Sequence, residues 1–254
     1  MCSLVVFMKK KRQYRRGYPV AVLVGLEEDH AVIWRVFSRV IKPANTIKLD
    51  GKQNDEKALY NFHESVLDII KPILNEGVHT VLVASPARTA YSAHFLEHVR
   101  KHHRYLIQSK SQNRANFTQI VGSAEDRLQV AELVQTKEFT ELIAETTSDE
   151  ADHIVDLLEK HLYDTNSIVL YSLKEIEDIV YKQDTNRDSG TEYLLLTNKY
   201  LAESRQKSRI HRLMQIAQNK KIKTKVIEND TAAGNRINQF GGIVFFSVPN
   251  RYDT

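Results

Sequence analysis

Histidines in the segment 91–103 have a spacing that could hold a metal ion. His94, His98 and His102 follow one another at intervals of four residues, so they share one face of a helix, and His103 is adjacent. Imidazoles one turn apart can bind zinc together. The segment lacks a carboxylate–histidine signature such as HExxH, so we expect a histidine face directed at solvent or RNA, with no metal and no other cofactor.

Two groups of Lys and Arg side chains could bind the phosphates of a nucleic acid. One group occupies the N-terminal tail, and the other covers a late helix and the strand after it. Basic clusters gain phosphate affinity by releasing counterions, although either group alone could be a solvated face. The first group comprises Lys9, Lys10, Lys11, Arg12, Arg15 and Arg16, and the second comprises Arg205, Lys207, Arg209, Arg212, Lys220, Lys221, Lys223 and Lys225.

The composition excludes several other classes of protein. The chain has 254 residues, 42% of them hydrophobic and 27% charged, which is typical of a soluble globular protein with room for two domains. No apolar run reaches the length of a membrane span, and the single cysteine, Cys2, cannot form an internal disulfide. We therefore expect a cytoplasmic protein without membrane contact. The absence of a GxxxxGK[ST] motif and of acidic residues in the first strand argues against nucleotide hydrolysis and nuclease chemistry.

Hydrophobic periodicity predicts two consecutive α/β blocks. In the first block we predict strands at 18–26, 30–37, 40–49, 78–85 and near 118–121, and helices at 55–75, 91–102, 124–135, 137–146 and 148–162. In the second block we predict strands at 168–172, 191–198, 224–227 and 243–248, with helices ending at 181 and 219 and a helix at 232–240. The last strand is continuously apolar, so we expect it in the middle of its sheet.

Three short motifs carry a resemblance to a known family. The strand TEYLLLTN at 191–198 leads into a basic helix, QFGG at 239–242 precedes the final strand, and VLVASP stands at 81–86. This order resembles the middle and C-terminal domains of Pelota and the archaeal and eukaryotic class-I release factors, over residues 18–250. The resemblance implies an RNase H-like domain at 18–135 and a C-terminal domain at 136–254 similar to kink-turn-binding ribosomal proteins. The basic residues before them predict a tail at 1–17.

The resemblance also implies a role in translation. We expect a factor that binds the ribosome, its rRNA and tRNA during ribosome rescue, quality control or dormancy, with a translational GTPase as a candidate partner. Only residues 1–17 precede the first predicted strand, so we expect no decoding domain and no codon reading. Two alternatives remain open: an RNA-binding module that does not act on the ribosome, and a paralogue that docks only protein partners.

The loop at 50–54 decides whether this chain is expected to be an enzyme. Release factors place Gly-Gly-Gln here, where the glutamine region delivers water to the peptidyl-tRNA ester. In this chain Gly51 and Gln53 keep the spacing, but Lys52 replaces the second glycine, and its Cβ restricts the backbone. A peptidyl-tRNA hydrolase using Gly51 and Gln53 is the alternative to an ordinary polar turn, or to a non-catalytic loop in which Lys52 binds tRNA phosphate. We favour the non-enzymatic interpretation.

Overall fold

The computed structural model describes residues 18–108, 114–164, 167–182 and 190–248, which form two β-sheets covered by helices. The first block contains β1 (Pro19–Leu26), β2 (His30–Phe37), β3 (Ile41–Lys48), α1 (Glu56–Asn75), β4 (Thr80–Ser85), α2 (Tyr91–His102), a 3-10 turn (Arg104–Leu106), β5 (Asn116–Val121), α3 (Arg127–Leu133) and α4 (Lys137–His161). The second contains β6 (Val169–Leu170), α5 (Leu173–Lys182), β7 (Thr191–Thr197), α6 (Asn198–Glu203), α7 (Lys207–Asn219), β8 (Lys223–Ile227), α8 (Ala232–Gln239) and β9 (Ile243–Val248). No helix within these ranges combines the length and the apolar character that a membrane crossing requires.

The first sheet has the strand order β3-β2-β1-β4-β5. β1, β2 and β3 pair antiparallel through short connections, whereas β4 and β5 add parallel strands on the other side of β1. Parallel neighbours need a crossover connection, and α1 and α2 supply it. The three predicted antiparallel strands and the predicted α/β class are confirmed.

Strand β1 is buried because helices cover both faces of the first sheet. Val22 and Val24 join a core with α1 and α2, while Ala21 and Leu23 on the opposite face join a core with α3 and α4. Successive side chains of a strand point to opposite faces, so a continuous apolar run is what a doubly covered strand requires.

The second sheet has the order β6-β9-β7-β8, with β9 between two antiparallel neighbours. Val244 and Phe246 lie in the core beneath α8 and the second half of α4, and Ile243 and Phe245 lie in the core beneath α5 and α7. The predicted central position of the last strand is therefore confirmed.

Two helix predictions were wrong. The segments 137–146 and 148–162 are one helix, α4, because its residues pack into cores of both sheets. Within the helix, the hydroxyls of Thr146 and Thr147 donate back to the carbonyls of Leu142 and Ile143 at 2.7 and 2.6 Å. The single basic helix predicted through residue 219 is instead two helices, α6 and α7. They are separated at Ser204, which has an extended backbone with ψ 131°.

Helix α4 packs against both sheets. Phe139 near its start belongs to a core of the first sheet, and Ile154 and Leu158 near its end belong to a core of the second. The division predicted between residues 135 and 136 falls just before this helix and stays a prediction.

Candidate nucleic-acid interface

The loop between β3 and α1 is held at its helical end by Asp55. The carboxylate of Asp55 accepts hydrogen bonds from the backbone N–H groups of Lys57 and Ala58 at 3.0 and 3.1 Å, so it caps α1. The backbone N–H of Asp55 donates to the carbonyl of Lys52 at 2.9 Å, which closes a tight turn. Residues 50–54 thus reach the helix through a hydrogen-bonded turn.

Gln53 is turned toward the β1–β2 connection. Its side-chain Nε2 donates to the backbone carbonyl of Glu28 at 2.8 Å, and the residue is half-buried. An amide engaged in this way stabilises the loop against the neighbouring turn. In this conformation the Gln53 side-chain amide is directed at a backbone carbonyl of the protein.

Gly51 and Lys52 differ in what their positions require. Gly51 has φ +142°, and a Cβ there would lie 2.7 Å from the Cβ of Ala58, so only glycine fits without movement. Lys52 is exposed, and among the described residues with Cβ atoms only Arg88 and Lys221 have positive φ. Lys52 therefore adopts an ordinary backbone conformation, and its amine is available on the surface.

The first predicted basic cluster lies outside the described residues. It comprises Lys9, Lys10, Lys11, Arg12, Arg15 and Arg16. Its proposed RNA contacts stay a prediction.

The second predicted cluster divides into exposed and inward-facing members. Arg205, Lys207, Arg212 and Lys221 are exposed around α7, and Lys220, which is half-buried, donates to the carbonyl of Tyr181 at 3.4 Å. The four exposed side chains form what we term the α7 basic surface. Whether it contacts RNA stays a prediction.

Arg209 holds two helices together. Its guanidinium Nε lies 2.7 and 2.8 Å from the two carboxylate oxygens of Glu177 on α5, a bidentate contact completed by Nη2. The Glu177 side chain is only 8% exposed, so a buried carboxylate depends on this cation. Arg209 thus has a structural role in joining α7 to α5.

Lys223 and Lys225 face inward from β8. Lys223 is 5% exposed and lies against Gly77 of the first block, with its amine 5.4 Å from the Tyr193 ring centroid. Burial lowers the pKa of Lys223 to about 8. Lys225 donates to the carboxylate of Glu150 at 2.5 Å, where burial raises the pKa of Glu150 despite this partner. We predicted Lys223 as part of an exposed basic cluster, but its side chain is buried in the structure.

A small cavity lies where the two blocks meet. It has a volume of about 50 Å³ and is lined by residues of both blocks, including His79, Thr80, Glu150 and Tyr193. His79 Nδ1, Thr80 Oγ1 and Glu150 Oε1 are buried and have no hydrogen-bond partner in the described structure. These residues come from distant segments, so no local sequence pattern could have indicated the cavity.

The histidines in and just after α2 differ in their exposure and do not form one solvent-facing surface. His94 and His102 are exposed, while His98 and His103 are buried and point at Glu64 of α1. Their Nε2 atoms lie 2.9 and 2.7 Å from the same oxygen, Oε1 of Glu64. Burial lowers the pKa of His98, against the opposing effect of Glu64. Burial acts to raise the pKa of Glu64, but the two imidazole hydrogen bonds bring it below its ordinary value.

In the described part of the chain, the predicted phosphate-binding residues and the predicted catalytic residue lie in different environments. Lys52 and the α7 basic surface present cations to solvent, whereas Gln53 is hydrogen-bonded to protein. Exposed Lys and Arg side chains bind a nucleic-acid backbone without reading its sequence.

Solved structures with a similar fold include those of Pelota and Dom34. In particular, the chain matches a model of ribosome-bound archaeal Pelota and ABCE1 with a TM-score of 0.52 and 16% identity, covering 90% of this chain and 61% of that chain. It also matches S. cerevisiae Dom34, described as a translation termination-like factor involved in RNA quality control pathways and interacting with Hbs1. That match has a TM-score of 0.47 and 20% identity, and covers 92% of this chain and 64% of that chain.

The comparisons therefore confirm the predicted resemblance to Pelota at the level of the fold. The chain spans 61% and 64% of the two solved structures, less than two thirds of either. The sequence matches no protein-family model and no curated protein.

Proposed function

We propose that this chain is a Pelota-like translation factor that binds the ribosome through rRNA and tRNA contacts. The observation that carries the proposal is the fold, which is similar across 90% of the chain to that of ribosome-bound archaeal Pelota. Within translation, the sequence resemblance favours ribosome rescue, quality control or dormancy, with a translational GTPase as the delivering partner. Fold alone does not define function, so the surface must supply the rest of the argument.

The α7 basic surface supports a contact with RNA. Arg205, Lys207 and Arg212 are exposed, and none of them forms an ion pair with another residue of the described ranges. An unpaired Lys or Arg side chain that neutralises a phosphate releases the counterion condensed on the nucleic acid, which favours binding at low salt. Arg209, by contrast, forms an ion pair with Glu177, so we expect it to contribute less to phosphate binding.

The loop that contains Gln53 supports binding without hydrolysis. Catalysis would require the Gln53 region to position water at an ester carbonyl, and here its amide donates to Glu28 instead. Lys52 is exposed beside it and is suited to a phosphate of the tRNA acceptor end. We therefore propose that this loop holds tRNA and does not cleave it.

Co-sedimentation with ribosomes across a salt titration tests the proposal. The variant Arg205→Ala/Lys207→Ala/Arg212→Ala should bind more weakly, and its slope of log affinity against log salt should fall by roughly 0.7–0.9 for each phosphate that the variant no longer neutralises. The matched control is Lys57→Ala/Lys101→Ala/Lys137→Ala, which removes the same charge from exposed positions of the first block.

Two outcomes would contradict the proposal. If wild-type protein fails to co-sediment with ribosomes at low salt, ribosome binding is wrong. If it binds unrelated structured RNA as tightly as ribosomes, the alternative of a general RNA-binding module is favoured.

A further inference from the structure

Three potential metal ligands converge between α1 and the end of α2. They are Glu64, His98 and His103, and one ligand atom from each lies within 4.8 Å of the others. The residues come from two elements, since Glu64 lies in the middle of α1, His98 in the last turns of α2, and His103 at its C-cap. Their convergence therefore depends on how the two helices pack, and the sequence spacing of the histidines did not reveal it.

Neighbouring aromatic rings hold the two imidazoles in place. Tyr60 contacts His98 edge-to-face with ring centroids 5.0 Å apart, and Tyr105 contacts His103 at 5.9 Å. His63 also contacts His98, with ring centroids 5.0 Å apart. A site whose ligands are already oriented by packing loses less conformational freedom when it binds an ion.

The donor set selects the class of ion. Two imidazole nitrogens and one carboxylate oxygen suit Zn²⁺ and similar transition metals, whereas Mg²⁺ and Ca²⁺ prefer oxygen ligands alone. We propose that Glu64, His98 and His103 form a binding site for a Zn²⁺-class divalent ion.

The ion would replace a set of hydrogen bonds that the three side chains now make with one another. Both Nε2–H groups donate to the same carboxylate oxygen. On binding an ion, a neutral ring would carry its proton on Nδ1, and an imidazolium would release its Nε2 proton to solvent. Two Nε2 lone pairs and a carboxylate would then face a common point. The Glu64 side chain is 26% exposed, which gives solvent a path to the site. Three protein ligands leave a fourth coordination position for water or for the nearby exposed His102.

Zinc binding to the purified full-length protein tests this inference. The measurement is competition with a chromophoric zinc indicator, together with the visible absorption of Co²⁺, which is intense only in a site of low symmetry and low coordination number. We expect one high-affinity ion per chain, with an increase in Tm on adding Zn²⁺ because the ion binds the folded state. Glu64→Gln should weaken binding by more than about 100-fold, the upper range for removing even a residue that only hydrogen-bonds to a metal ligand.

Glu64→Gln keeps an oxygen that can accept from both imidazoles, so the variant should fold, and its circular dichroism spectrum and melting curve verify this. The matched control is His94→Gln, which removes an exposed histidine one turn before His98 and should leave zinc affinity unchanged. Equal zinc affinity in wild type and folded Glu64→Gln would overturn the site, as would an equal weakening in Glu64→Gln and His94→Gln. The assay contains no ribosomes, so its failure would leave the proposed function untouched.

Discussion

Lys221 and Lys223 lie two positions apart but in opposite environments. Lys221 is exposed just after α7, with φ +62°. Lys223, the first residue of β8, is 5% exposed and lies against the first block. The groups that face Lys223 include Glu150, Lys225, His79 and Tyr193, and burial raises the pKa of Tyr193 to about 12. A run of basic residues in the sequence is therefore not a basic patch on the surface.

Lys223 should make stability depend on pH in the alkaline range. Its pKa falls from 10.5 to about 8 on folding, which costs the folded state on the order of 3 kcal/mol at neutral pH. Between about pH 8 and 10 the unfolded chain holds a proton that the folded protein has released, so stability should rise with pH. Lys223→Met should be the more stable protein at pH 7.5, and its advantage over wild type should shrink toward pH 10.

Urea unfolding of both proteins at several pH values measures this difference. The pKa of Tyr193 lies above the window, so its own titration interferes little. Lys221→Met serves as the matched control because it removes an exposed lysine from the same segment. A constant difference between wild type and Lys223→Met from pH 7.5 to 10 would show that Lys223 stays charged in the folded protein.

Gln53 should have no catalytic role. Its side-chain amide donates to Glu28, and Lys52 stands where a flexible glycine would be needed. Wild type and Gln53→Ala should both fail to release peptide from ribosome-bound peptidyl-tRNA, with an authentic release factor as the positive control. Release by wild type that disappears in Gln53→Ala would establish a hydrolase and reverse our interpretation.

Elements with a strong apolar pattern could be predicted from the sequence. Elements whose extent depends on packing against distant parts of the chain could not. The predicted bounds of α2 and β9 agree with the structure. α2 has a helical period of apolar residues, and β9 is a short apolar run that follows a pair of glycines. The Gly241–Gly242 pair, with φ +95° and +85°, ends α8 and leads into β9 as expected. α4 was predicted as two helices because threonines in a polar stretch resemble a boundary, while packing on two sheets keeps them helical.

The candidate sites could likewise be predicted only where their residues are adjacent in the sequence. Gly51, Lys52 and Gln53 are adjacent in the sequence, so their loop could be located in advance, but the hydrogen bond from Gln53 to Glu28 depends on tertiary packing. Glu64 gave no signal, because its importance comes only from the two histidines that another helix brings to it.

Strand β9 should be the element on which the second block depends most. Phe245 is fully buried and contributes to the core beneath α5 and α7, and β9 pairs with both β6 and β7. Phe245→Ala should lower the free energy of unfolding by about 3–5 kcal/mol because it leaves a cavity in a core that cannot fully collapse. Chemical denaturation measures the loss.

Tyr163→Ala is the control for Phe245→Ala, since Tyr163 is an aromatic residue that is 90% exposed. It should change stability by no more than about 0.5 kcal/mol. A loss below about 1 kcal/mol for Phe245→Ala would mean that the ring contributes little to the core and would count against the packing described for β9.

The two blocks of the molecule are joined by buried polar contacts as well as by apolar ones. α4 contributes to cores of both sheets, and within it Glu150 receives the amine of Lys225 from β8. Both partners are almost fully buried, with side chains 10% and 12% exposed, so removing either would leave a charge without its partner. Basic residues that are neighbours in the sequence thus differ in their role. Some form buried contacts within the protein, and only those that stay exposed are accessible to a ligand such as the ribosome.

The tail cluster and the α7 basic surface should contribute independently to ribosome binding. Lys9→Ala/Lys10→Ala/Lys11→Ala/Arg12→Ala lowers the formal net charge from +4 by four, to zero. If these residues contact phosphates, the salt slope should fall by roughly 0.7–0.9 for each phosphate that is no longer neutralised, and this fall should add to that of the α7 variant. Co-sedimentation at several salt concentrations measures both slopes.

Lys57→Ala/Lys101→Ala/Lys137→Ala/Lys174→Ala removes the same net charge from exposed positions elsewhere and should leave the slope nearly unchanged. An equal fall in both four-residue variants would show that net charge, and not the position of the tail, governs binding, whereas an unchanged slope in the tail variant would make the tail a solvated segment.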